Sequence, residues 1–146
     1  MTISTELGQL ILDEVTQFYV GQHWSPHFFS NDFSIVENEL ESGVLRLKEF
    51  FGWFARNHDQ LKLRVEYKIG DNDLIWDDVW DSILGEGWPE RWDEPPGILA
   101  DLLKFAEINY YDGHIHLWVN SSGLHTDHLV HVRMKKNEFD VDYCEL

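Results

Sequence analysis

The 146-residue sequence predicts an α+β fold: a mostly antiparallel sheet with a C-terminal β-meander and helices packed on one face. Three observations point there. Apolar residues recur at intervals of three and four in several early segments, the spacing of an amphipathic helix. Residues 61–69 alternate strictly, the spacing of a half-buried strand. Asp112-Gly113 is a two-residue hairpin turn, and two further alternating segments follow it. No repeat, low-complexity tract or linker divides the chain, so residues 1–146 read as a single acidic domain long enough to bury a core.

Taken in order, Ser4 is a candidate N-cap for a helix over residues 5–20, with Leu7, Ile11, Val15 and Phe18 as its stripe. Pro26 and the polar run around it make residues 21–32 a loop. Residues 33–40 fit either strand or loop. Val44, Leu47, Phe51 and Phe54 predict a helix over 44–57. In 61–69, Leu61, Leu63, Val65, Tyr67 and Ile69 alternate with charged residues and predict a strand. A turn at 70–73 leads into a helix over 74–84 that stops at Gly85. The three Gly and three Pro of 85–97 predict a loop, and Ile98, Leu102 and Phe105 predict a helix over 98–107. Strands are expected at 108–111, 114–120, 129–135 and 139–143, with Lys136-Asn137 as the last turn.

Charge narrows the function. Eleven bases against 27 acids leave a formal charge of -16, about twice the upper end usual for a small domain. The 14% aromatic content rules out a disordered acidic tail, so the charge belongs to a folded body. Nucleic acid and anionic membranes need clustered Lys and Arg, and neither is expected as a direct partner. Cys144 is the only cysteine, which excludes an internal disulfide and suits a reducing compartment. The N-terminal residues carry no basic-then-apolar signal, and a cytoplasmic location is expected.

The most unusual stretch is 70–97, with four tryptophans, nine acids and a single base, Arg91. On a helix over 74–84, Ile75, Val79 and Ile83 turn inward, Asp77, Asp78 and Asp81 turn outward, and Trp76 and Trp80 lie on the border. Trp88 and Trp92 stand in the Gly- and Pro-rich loop among Glu86, Glu90, Asp93 and Glu94, where a core is harder to reach. Tryptophan anchors interfaces, and carboxylates steer a cationic partner. The plainer expectation is that the indoles complete a core beneath a solvated acidic face.

Five of eight histidines fall between residues 114 and 131. If Ile115, Leu117 and Val119 face inward, His114 and His116 share the outer face, and His131 on a neighbouring strand comes near His116. With Asp127 they would form a possible Zn²⁺ ligand set with an open position for water. Alternation alone also yields polar histidines on a solvated face. There is no His-Glu-x-x-His motif, phosphate loop, nucleotide fingerprint or serine elbow, so no cofactor is expected. Acidic neighbours are expected to raise the Cys144 thiol pKa.

The sequence therefore favours a non-enzymatic acidic inhibitor. It would bind a basic protein, such as a toxin, a nuclease or a nucleic-acid-binding factor, through Trp76, Asp77, Asp78, Trp80, Asp81, Trp88, Glu90, Trp92 and Glu94. Immunity proteins and protein mimics of DNA have the same general composition. The alternatives are a metal-dependent hydrolase using His114, His116, His131 and Asp127, and an adaptor whose acidity serves solubility.

Overall fold

A computed structural model describes residues 1–28, 30–71, 103–120 and 129–145. They form one eight-stranded sheet with strands in chain order and a long helix against one face. The strands are β1 (Thr2–Thr5), β2 (Gly8–Asp13), β3 (Phe18–Gln22), β4 (Asp32–Val36), β5 (Lys104–Tyr111), β6 (His114–Asn120), β7 (Val130–Met134) and β8 (Val141–Glu145). Every neighbouring pair is antiparallel except β4 and β5. Two four-stranded meanders thus meet at a parallel seam. A parallel pair needs a crossover rather than a hairpin, and helix α1 (Leu40–Asp71) opens that crossover. The helix is mostly polar outside its buried stripe, and no described helix is long and apolar enough to span a membrane.

The first helix expected from the sequence is instead β1, β2 and β3. Thr5 closes the first turn, its hydroxyl donating to the Gly8 carbonyl at 2.9 Å and accepting from the Leu7 N–H at 3.0 Å. Gly8 has φ +92°, which a residue without Cβ adopts freely. In the second turn the Asp13 carboxylate accepts the Val15 and Thr16 N–H groups, an Asx turn. The supposed helical stripe is consequently split: Ile11 is 59% exposed and Val15 93%, while Leu7 packs partly buried against the core. Leu10 and Tyr19 point into the core instead. Gly21 lies beside them because a Cβ there would come within 2.4 Å of the Leu10 side chain and 2.5 Å of the Phe33 ring.

The helix over 44–57 is present and longer than expected, and the strand expected at 61–69 is its second half. Leu61, Val65 and Ile69 are spaced by four, so they satisfy both an alternating pattern and one face of a helix. All three are buried, whereas Leu63 is exposed. The two halves meet at Asn57, whose backbone is non-helical (φ -126°, ψ 15°). Its side-chain amide donates to the Trp53 carbonyl one turn earlier, at 2.8 Å. Val44, Leu47, Phe51 and Phe54 are buried against the sheet, with Phe51 on Phe33 and Phe54 on Phe105.

The 98–107 helix is corrected in part. Residues 104–107 belong to β5, while 98–102 lie outside the described residues. A register shift between Phe105 and Glu107 inserts an extra residue, so Phe105 and Ile108 both face the core at a spacing of three. That spacing imitates a helix. From there the C-terminal meander follows the expected order, with Asp112 (φ 53°) and Gly113 (φ 73°) forming the β5–β6 turn. Glu39 clamps this turn, its carboxylate accepting the Asp112 and Gly113 N–H groups at 2.9 and 2.7 Å. The turn expected to begin at Gly70 does not begin there, because Gly70 and Asp71 are the last residues of α1; residues 72–73, the helix 74–84 and the loop 85–97 lie outside the described residues.

Candidate functional site

The alternation of β5 to β8 builds two different surfaces. One set of side chains, including Ile108, Ile115, Leu117, Val130 and Val132, packs in the core on the helix side. The other set forms cross-strand rows on the face away from α1. One row is Glu107, Trp118, His131 and Glu145; the next is Asn109, His116, Arg133 and Tyr143. Strands lie about 4.8 Å apart, so each row is a line of cross-strand neighbours.

His116 and His131 are brought together, His116 Nδ1 lying 2.7 Å from His131 Nε2. They are not solvated: His116 is 3% exposed and His131 7%. Rings shield them. Tyr111 stacks on His116 at 3.7 Å with planes 1° apart, Trp118 stacks on His131 at 4.6 Å, and Tyr143 meets His131 edge-on. His114 turns aside, its Nδ1 2.8 Å from the Met134 carbonyl.

One proton arrangement makes every contact of the pair a hydrogen bond. A carbonyl only accepts, so the Tyr111 oxygen, 3.2 Å away, requires the proton on His116 Nε2. His116 Nδ1 then accepts from His131 Nε2–H, and His131, carrying a proton on both ring nitrogens as an imidazolium, donates Nδ1–H to the Glu145 carboxylate at 3.0 Å. Burial holds the His116 pKa down at about 4, chiefly by desolvation. The nearby His131, His114 and Arg133 push the same way, while the hydrogen bond to Tyr111 opposes them.

Other polar groups around the histidine pair are held as well. Trp118 donates its indole N–H to Asn109 at 2.7 Å, and Asn109 donates to the Ser34 hydroxyl at 2.6 Å. Arg133 holds Asp142 through two nitrogens at 2.9 and 2.6 Å and lies 4.1 Å over the Tyr143 ring. The centre of the face is therefore ring-rich, fixed in place and hydrogen-bonded within itself. Tyr111, Trp118, Tyr143 and Glu145 complete this cluster and were not among the residues the sequence singles out. The signal was available in β6, where Trp118 follows His116 by two and must share its face.

Of the metal set weighed from the sequence, His114, His116 and His131 are described and Asp127 is not. Both nitrogens of His116 and of His131 face hydrogen-bond partners, leaving no lone pair directed outward. Among the described residues, no group of three His, Cys, Asp or Glu is placed to hold a metal. The partner-binding residues Trp76, Asp77, Asp78, Trp80, Asp81, Trp88, Glu90, Trp92 and Glu94 all lie outside the described residues.

Elsewhere, His23 stacks on Phe51 at 3.9 Å and His27 on His58 at 3.8 Å, tying the segment before β4 to α1. Both His23 and His27 have lowered pKa values, mainly through burial. Cys144 is buried on the core side, and burial pushes its thiol up to about 12. The expected direction holds, but desolvation, not the acidic neighbours, is its cause. A groove of about 300 Å³ at the α1 break is lined by Trp53, Leu61 and Phe139, with the Arg64–Asp140 pair at its side. No protein-family model matches the sequence, and neither a curated protein nor a solved structure matches it.

Proposed function

We propose that this protein is a non-enzymatic acidic inhibitor that captures a basic protein, such as a nuclease or another nucleic-acid-binding factor. The observation that carries the reading is its charge economy. Arg46, Lys48, Arg64, Arg133 and Lys135 each sit against a carboxylate. Much of the small cationic complement is thus neutralised within the fold, and the excess of acids remains to set a negative field. Eight of the sixteen net negative charges belong to residues 70–97, which also hold Trp76, Trp80, Trp88 and Trp92. Long-range attraction of a cationic partner followed by indole anchoring is the expected sequence of events.

The hydrolase alternative draws no support from the histidine arrangement, because His116 and His131 spend their nitrogens on each other and on Tyr111 and Glu145. The inhibitor reading is tested by capture from source lysate at low and high salt. A basic partner should be recovered, with capture weakening as salt rises. Trp88→Ala and Trp92→Ala should each weaken binding to that partner by about 2 kcal/mol or more if they are anchors. Salt-insensitive capture of a partner without basic character would contradict the reading.

A further inference from the structure

We infer that the sheet face opposite α1 is a second contact surface for the same basic partner, and that Trp118 receives one of its arginine side chains. This rests on the inhibitor reading above, but on different residues.

The geometry is specific. His131 stacks on one side of the Trp118 indole, and the bond from its N–H to Asn109 fixes its rotation. The ring remains partly exposed. Glu107 is its direct cross-strand neighbour on β5 and is exposed, so a carboxylate flanks the indole one strand away. A guanidinium laid on the indole would gain both ring and carboxylate attraction. Little of the face would lose hydrogen bonds on desolvation, since Asn109, His131, Arg133 and Asp142 already hold one another or their neighbours. Charge selects the occupant: on a chain of net charge -16, beside Glu107, the surface complements a cation.

The test is a titration of the ¹⁵N-labelled full chain with a deca-arginine peptide, using a neutral Gly/Ser peptide of equal length as control. The Trp118 indole N–H signal is assigned by its loss in Trp118→Phe. It should move saturably with deca-arginine and stay still with the control. Glu107→Gln, at an exposed position that leaves the fold intact, should weaken the response about fivefold. An unmoved Trp118 signal, or a response that Glu107→Gln leaves unchanged, overturns the proposal. Movement confined to Trp76, Trp80, Trp88 and Trp92 would overturn it while leaving the inhibitor reading standing. No movement at any indole would count against both.

Discussion

The two faces of the C-terminal meander bury their side chains by different means. Towards α1, residues such as Leu117, Val132 and Ile108 meet Phe50, Phe54 and Val65 in a core held by apolar area and close packing. On the other face, burial comes from stacked rings and polar groups matched in pairs, with His116 and His131 enclosed between Tyr111 and Trp118. A core of the first kind tolerates changes of shape at a graded cost. A network of the second kind depends on each partner, because a buried donor or acceptor left alone costs about 1–3 kcal/mol. The same sheet therefore has one face suited to holding the fold and one suited to presenting fixed rings.

The largest effect should come from the helix side. Phe50 is buried among Phe51, Trp53, Phe54 and Phe139. Phe50→Ala should lower stability in urea unfolding by about 3–5 kcal/mol, and a loss below 1 kcal/mol would deny that α1 covers a packed core. Acidification comes next and acts on the other face. Folded His116 takes its proton near pH 4 and the unfolded chain near 6.5. The unfolded state thus binds the proton first, so this contribution is whole above pH 6.5 and is lost as the pH falls to about 4. It amounts to roughly 3 kcal/mol. His116→Gln should flatten that part of the pH–stability curve relative to the parent, and parallel curves would refute the assignment.

Smaller changes sharpen the contrast. Trp118→Phe keeps a ring on His131 but removes the donor to Asn109, and should cost about 1 kcal/mol in the same unfolding measurement. Arg64→Ala, in a pair with Asp140 where the arginine is half exposed, should cost about 0.5 kcal/mol. If Arg64→Ala proved the more damaging of the two, the groove at the helix break rather than the ring face would be the tightly built region.

The sequence was legible where one periodicity excluded the others. Asp112-Gly113 and the alternation of 114–120 marked their hairpin, and the spacing of Val44, Leu47, Phe51 and Phe54 marked the front of α1. It misled where two periods coincide. Leu61, Val65 and Ile69 fit both strand and helix, and only packing against the sheet selects the helix. The bulge beside Ala106 gave β5 a helical spacing, and the tight turns at Thr5 and Asp13 were hidden inside an apparent stripe from Leu7 to Phe18. For the site, alternation placed His114, His116 and His131 on one face. It could not reveal that Tyr111 and Trp118 would enclose His116 and His131, since ring stacking depends on register across three strands.

The arrangement of protons in the buried imidazole pair is read directly by long-range ¹H–¹⁵N NMR of the histidine rings at neutral pH. The expected spectrum shows His116 neutral and protonated on Nε2, the nitrogen facing the Tyr111 carbonyl. A His116 ring protonated on Nδ1, or one averaging between its two neutral forms in contact with solvent, would contradict it.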